Sequence, residues 1–349
     1  MKRNLILLGL LIATGASAQE VNKYIPGSME DGVIYYLPKT EIRVEVIAEK
    51  ITYTPGELCQ YANRYLKLDN ISDKPEVHWE IKSVKAISVG IPDPNNAYGI
   101  KLKDKSVASQ VELTDDGIIK AINTTYPLVT ESTSRTILKP TQAVNPKIYM
   151  TEDMLNATSS AKMAELVSRE IYNIRDSKNS LTRGQADYMP KDGEALKIML
   201  QNLDIQELSL TSMFSGVTTK EEKCFTFNIT PESNMKDKVL FRISNKLGIV
   251  NAENLAGAPV YITINNEDKL PAPDEKEKKK KIEGVIYNIP GKAMVTVGTS
   301  VRKYFEGELP VTQFGTTEVL TDNLFNKKIN TKVIFNPSTG GIIKIDKNN

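Results

Sequence analysis

The chain is predicted to be an α+β protein: two related β-rich modules, built of antiparallel sandwich-like sheets, flank an insertion that folds as an αα-hairpin. Three observations lead to that class. An eight-residue motif occurs near both ends, as Asp31-Gly32-Val33-Ile34-Tyr35-Tyr36-Leu37-Pro38 and again as Glu283-Gly284-Val285-Ile286-Tyr287-Asn288-Ile289-Pro290, with five of eight positions identical. Segments that follow each copy alternate apolar and polar residues with period two, the signature of a half-buried strand. The middle of the chain instead spaces its apolar residues by three and four, the signature of a helix.

The first eighteen residues read as a secretory signal. Lys2 and Arg3 form the basic start, Leu5 to Ala13 form an apolar run too short to span a bilayer, and Ala16-Ser17-Ala18 is a small-x-small cleavage site. The mature chain is expected to begin at Gln19. Its charge then falls from Lys+Arg 45 against Asp+Glu 43 to 43 against 43, because Lys2 and Arg3 leave with the signal. A neutral chain with dispersed charges offers nucleic acid or anionic lipid no electrostatic handle. No later run is long enough for a transmembrane helix.

The N-terminal module is assigned residues 19–150. Ile42, Val44 and Val46 alternate with Glu41, Arg43 and Glu45, after a turn at Leu37-Pro38-Lys39. A short helix near 56–66 starts after Pro55 and places Leu58, Tyr61, Ala62 and Tyr65 on one face. Residues 151–222 form the helical hairpin. Its first helix, over 158–180, uses Met163, Leu166, Val167, Ile171 and Ile174, with hydroxyls of Thr158 to Ser160 as N-caps. Asp192 caps the second helix, whose stripe is read as Leu196, Met199, Leu200, Leu203 and Leu208. The sheets are the expected partner of both helices.

The C-terminal module covers 223–349. Strands are expected at Cys224–Ile229, Val239–Ile243 and Pro259–Ile264, and the charged run 273–281 reads as a solvated linker. The repeat-like segment spans 283–345. There Ala293, Val295 and Val297 alternate with Met294, Thr296 and Gly298, Gly307-Glu308-Leu309 echoes Gly56-Glu57-Leu58, and Asn336-Pro337 echoes Asp93-Pro94. Duplication predicts that these pieces form matching hairpins and turns.

Chemistry is harder to find. His78 is the single histidine, which excludes His-rich metal sites and leaves one candidate for a Ser–His or Cys–His pair. It lies in Val77-His78-Trp79-Glu80-Ile81, where Val77, Trp79 and Ile81 share one face and His78 shares the other with Glu80. There is no nucleophile elbow and no P-loop. Carboxylate pairs of the kind a glycosidase uses are not identifiable from sequence. The one polar cluster worth naming lies on the hairpin, where Arg175, Arg183 and Asp187 form the candidate binding group for an anionic ligand, or else an ion-pair network that pins the loop. Cys59 and Cys224 are either a disulfide in an exported protein or two small buried hydrophobes. No metal and no cofactor is expected. Asn70, Asn123, Asn156 and Asn228 open Asn-x-Ser/Thr sequons, which matter only in a host with the eukaryotic machinery.

Several motifs together resemble the DUF4831 family, uncharacterised exported proteins of Bacteroidetes. They are Tyr36-Leu37-Pro38-Lys39-Thr40, Pro55-Gly56, Tyr61-Ala62 with Tyr65-Leu66, Ile174-Arg175, Gly184, Asp187, Pro190, Asp192-Gly193, Glu283-Gly284-Val285 with Pro290, Gln313-Phe314-Gly315, and Phe335-Asn336-Pro337 with Thr339-Gly340. Lys67 stands after Leu66 where the family pattern has glycine, so the exit from the short helix is the point of departure. The resemblance implies a Gram-negative envelope, in the periplasm or at the outer membrane, which makes the sequons irrelevant. It brings no catalytic residue. The expected function is a non-enzymatic envelope protein that binds or scaffolds a protein or glycan. The alternatives are an envelope hydrolase working through carboxylates and an oligosaccharide or small-molecule carrier.

Overall fold

The computed structural model describes residues 21–24, 32–101, 111–127, 145–190, 192–268, 284–321 and 330–348. The signal segment and the charged run 273–281 lie outside the described residues. In chain order the strands are β1 (Val21–Lys23), β2 (Gly32–Thr54), β3 (Glu76–Lys101), β4 (Val111–Leu113), β5 (Ile119–Ile122), β6 (Val217–Ile229), β7 (Met235–Ser244), β8 (Gly248–Val250), β9 (Ala258–Asn266), β10 (Gly284–Gly298), β11 (Lys303–Thr321), β12 (Asn330–Phe335) and β13 (Ile342–Asn348). The helices are α1 (Ala62–Leu66), α2 (Glu152–Leu155), α3 (Ser160–Thr182) and α4 (Gly193–Ser215), with single 3₁₀ turns at 59–61 and 146–149.

The strands form three antiparallel sheets, ordered β1-β3-β2-β6, β11-β10-β9-β7-β8 and β13-β12-β5-β4. The fold is therefore β-rich with a few helices, as the α+β class requires. The sheets take strands from both ends of the chain. β6 extends the sheet of β2 and β3, and β5 pairs with β12. The expected boundary at residue 222 falls inside β6.

Period two explains the first sandwich core and the β2 side of the second. In the first, Ile42, Val44 and Val46 of β2 face Val260, Ile262, Val295 and Val297 of the second sheet. In the other, Tyr35, Leu37 and Ile100 face Ile119, Ile122, Val285, Val333 and Phe335. β2 and β10 each run through both cores, and each changes core at a break in pairing. β2 pairs Tyr36 with Ala97 and then Pro38 with Pro92, skipping Leu37 and leaving 93–96 unpaired. β10 pairs Ile289 with Thr316 and then Gly291 with Val311, skipping Pro290 and leaving 312–315 unpaired. The two hairpins thus share one irregularity: a proline-associated bulge opposite a four-residue excursion.

The duplicated motif is one residue out of phase with this equivalence. The bulges align Tyr36 with Ile289, whereas the motif aligns Tyr36 with Asn288. A one-residue slip reverses every face of a strand. Tyr35 accordingly is fully buried, while its motif partner Tyr287 is only half-buried and donates its hydroxyl to Glu318 at 2.8 Å. The remaining correspondences fail. Gly56 precedes the short helix but Gly307 lies within β11, and Asp93-Pro94 sits in the excursion of β3 but Asn336-Pro337 turns β12 into β13.

The bulges leave backbone groups unpaired inside the protein, and buried polar groups need partners. Side chains supply them. Thr312 Oγ1 accepts from Thr40 N at 2.9 Å, Thr40 Oγ1 accepts from Thr312 N at 2.9 Å, and Gln313 Nε2 donates to Thr40 O at 2.7 Å. Asn288 Nδ2 donates to Pro38 O and to Thr339 O, at 2.9 and 3.0 Å. Tyr35 Oη accepts from Ile286 N and donates to Ile286 O. The motifs at 36–40, 284–290, 313–315 and 335–340, which carry most of the family resemblance in the β modules, converge on this one knot.

The helices pack differently from expectation. Val167, Ile171, Ile174, Leu210, Met213 and Phe214 form a core with Leu58, Ala62, Leu66 and Met154, and among the described residues no sheet residue joins it. The connection after β2, not a sheet face, covers the hairpin. At the end of α1, Lys67 takes φ 56° with its N–H on Asn63 O, the left-handed stop at which glycine is the usual residue.

Candidate functional site

The helical layer is fixed to the β framework at one end. Ser159 and Asp192 cap α3 and α4 through Lys162 N and Ala195 N, at 3.2 and 2.7 Å. α4 stops at Gly216, whose φ of 75° suits glycine, and an added Cβ there would meet Thr54 O at 2.6 Å. Leu58 N donates to Met213 O at 2.8 Å, and the single proton of Tyr53 Oη is shared between Ser72 O at 2.9 Å and Ser215 O at 3.1 Å. Between these elements lies an open cleft of about 360 Å³, lined among others by Gly56, Glu57, Lys147, Ser212 and Gly216. Glu57 and Lys147 face each other there at 3.9 Å.

The polar cluster expected on the hairpin is split by the structure. Arg175 Nε donates to Glu207 Oε1 at 2.6 Å, and Lys178 reaches the other oxygen of Glu207 at 2.9 Å and also pairs with Asp204. The Arg175 guanidinium lies 5.4 Å from the Tyr172 ring centroid. Arg183, eight residues or about 12 Å further along the helix, is exposed at the end of α3, and Asp187 is exposed in the connection. The structure therefore does not bring Arg175 together with Arg183 or Asp187. Sequence alone does not join Glu207, Lys178 and Asp204 to Arg175, because their meeting depends on how α4 turns against α3.

Burial pushes the Glu207 carboxyl up, but the hydrogen bonds from Arg175 and Lys178 outweigh it and hold its pKa below the ordinary value. A depressed carboxylate stabilises the fold above its unfolded pKa and loses that contribution as pH falls through the folded value. Glu207→Gln removes this dependence. The melting-temperature difference between wild type and Glu207→Gln should be constant above about pH 5 and shrink below about pH 4. A difference that is flat from neutral pH to pH 3 would show that the ion pair contributes nothing.

α4 is apolar on two faces. One face packs in the helical core through Leu210, Met213 and Phe214. The other presents Ile198, Ile205 and Leu208 to solvent, at 51, 42 and 73 % exposure. At 100° per residue these three lie within about 80° of arc. Leu208 was expected on the buried stripe, but the same arithmetic puts it about 120° from Leu196. Ser212, one turn beyond Leu208, lines the cleft. The outward stripe thus leads to the cleft mouth, and the exposed Tyr188 lies in the connection that precedes α4.

A second polar cluster lies on the outer face of the first sheet. Glu80, Glu49 and Glu222 stand opposite one another on β3, β2 and β6. Glu49 is 6 % exposed and pairs with Lys220 at 2.9 Å and Lys82 at 3.9 Å; Lys82 also pairs with Glu222. Like charges directly across a sheet are unfavourable, and the two lysines offset the charges of Glu49 and Glu222. Among the described residues no group of His, Cys, Asp and Glu is arranged to hold a metal ion. His78 lies exposed with Glu80, opposite Ile51, and no described hydrogen bond joins it to a serine or thiol. Val77, expected inside with Trp79, is 41 % exposed because it lies near the end of the strand.

Cys59 and Cys224 are both free. Cys224 pairs across the sheet with Ile47, and seven strand residues, roughly 23 Å, separate Ile47 from the end of β2 before Cys59. Cys59 thus follows the far end of β2 while Cys224 sits opposite its middle, and a disulfide needs Cα atoms within about 7 Å. Cys224 is exposed, so the buried alternative fails for it as well. Among the described residues no helix is long and apolar enough to cross a membrane.

The family described as Domain of unknown function (DUF4831) matches residues 31–343 of the chain. No curated protein and no solved structure matches it.

Proposed function

The chain belongs to the DUF4831 family, and on that premise we propose a non-enzymatic binding or scaffolding protein of the cell envelope that uses the outward face of α4 as its contact surface. The observation that carries this reading is the second apolar stripe of Ile198, Ile205 and Leu208 on a helix already packed through its other face. An apolar row on one helix face, aligned with a cleft, suits a partner that offers its own row of side chains. The sequence features of an export signal support the envelope as the place. The hydrolase alternative would rest on the carboxylate row of Glu80, Glu49 and Glu222. Both Glu49 and Glu222 are held there by lysines on an open sheet face, which supports structure over acid–base work.

The test is a photo-crosslinking amino acid placed at Gln201, within the stripe, with pulldown from native envelope. A single protein or glycan partner is expected, with the same probe at the exposed Lys246 giving none. Recovery of the uncrosslinked monomer alone from position 201 would overturn the reading.

A further inference from the structure

β6 offers a different surface. It pairs with β2 over thirteen residues, from Val217 opposite Thr54 to Ile229 opposite Ile42, without one register shift. No described strand pairs with its other side. The other outermost strands are blunted: β1, β4 and β8 have three residues each, β13 has seven, and β11 contains Pro310 and a break in register. β6 has neither proline nor bulge. A long, regular, open edge is a template for another strand, and monomeric proteins usually avoid it.

The charges along this edge select the partner strand. Its centre carries the charges Lys220-Glu221-Glu222-Lys223. When two β6 strands meet antiparallel with Glu222 at the centre, Glu221 of each copy stands opposite Lys223 of the other. Residues directly opposite in an antiparallel pair share a face and interact. The central Glu222 pair is tolerable because each Glu222 already carries Lys82 as counter-ion. Centring on Glu221 instead would oppose two exposed carboxylates, which form no ion pair among the described residues. In the favoured register Lys220 meets Cys224, and Val217 meets Phe227, so the ladder extends over most of the strand.

We infer that the chain forms a twofold homodimer by antiparallel pairing of β6 with β6, with Glu222 on the axis, joining the two four-stranded sheets into one. The interface is isologous, as a closed dimer requires. It does not involve α4, so it stands or falls separately from the contact surface proposed above.

The test uses the chain without its first eighteen residues. Sedimentation at micromolar concentration should show a dimer. Glu221→Lys and Lys223→Glu should each weaken it by at least about tenfold, and the double exchange should restore it, because the cross-strand pairs are then reversed but still opposite in sign. Lys220→Cys should form an intermolecular disulfide with Cys224 on mild oxidation, since directly opposed Cα atoms lie about 4.5–5.5 Å apart; wild type should not. A monomeric wild type would overturn the inference, as would a dimer insensitive to both single exchanges. A monomer whose β6 amides become protected only on adding a foreign extended peptide would overturn it too, and would give the edge to another protein.

Discussion

Gly315→Ala is expected to destabilise the fold by more than about 3 kcal/mol, a fall in melting temperature on the order of 10 °C. A Cβ at Gly315 would lie 1.8 Å from Ile289 O, 2.7 Å from Gly291 N and 2.9 Å from Ile289 C, all backbone atoms of the strand across the bulge. None of these is a side-chain end that can swing aside. The neighbours of Gly315 cannot yield either. Phe314 is inserted in the first core, and Thr312 and Gln313 hold the backbone of Thr40 on the opposite sheet. Relieving the contact means pulling the excursion out of the knot and with it the junction of both sandwiches. Gly193→Ala is the matched control: nothing lies within 4 Å of its Cβ position at the start of α4. It should be neutral or stabilising by under about 1 kcal/mol. Chemical denaturation of both variants measures the difference. A Gly315→Ala protein within about 1 kcal/mol of wild type would mean that the bulge is not the rigid joint described here.

Leu208→Glu should do the opposite: leave the fold intact and weaken partner binding. Leu208 is 73 % exposed, so the change removes little packing, and stability should move by less than about 0.5 kcal/mol. At a contact surface the same change buries a carboxylate against apolar side chains. A central interface residue of that kind typically costs 2 kcal/mol or more, so affinity should drop by about thirtyfold or more. Recovery from the envelope through the position-201 crosslink, alongside a melting curve, reads both quantities. If Leu208→Glu melts normally and crosslinks normally, the α4 face is not the contact surface. Gly315→Ala and Leu208→Glu together separate the residues that build the framework from those proposed to meet a partner.

That separation bears on what the family motifs mean. Pro38, Thr40, Pro290, Gln313, Gly315 and Gly340 come from four distant stretches and meet at the bulges. They read as architecture rather than chemistry. The residues that form the outward face of α4 belong to none of those motifs, and neither do the charges on the edge of β6. The surfaces proposed here for binding therefore leave little trace in the motifs that identify the family.

Local pattern alone determined the elements. Period-two alternation located Ile42, Val44 and Val46, and Ala293, Val295 and Val297, on the inward faces of the first core, and the hydroxyls of Thr158 to Ser160 and the carboxylate of Asp192 marked the helix starts. Such signals are short-range, and neighbouring residues suffice to express them. The duplicated motif likewise marked two hairpins of the same kind, but out of phase by one residue, because the register of a strand is set by its partner and a bulge shifts it. Only the tertiary structure decided which strands share a sheet, that Glu207 rather than Arg183 meets Arg175, that Cys59 and Cys224 are far apart, and that Leu208 faces outward. An α4 with apolar residues on two faces has no preference of its own between them. The neighbours that arrive from elsewhere in the chain choose the face to bury, and what they leave uncovered is the surface available to a partner.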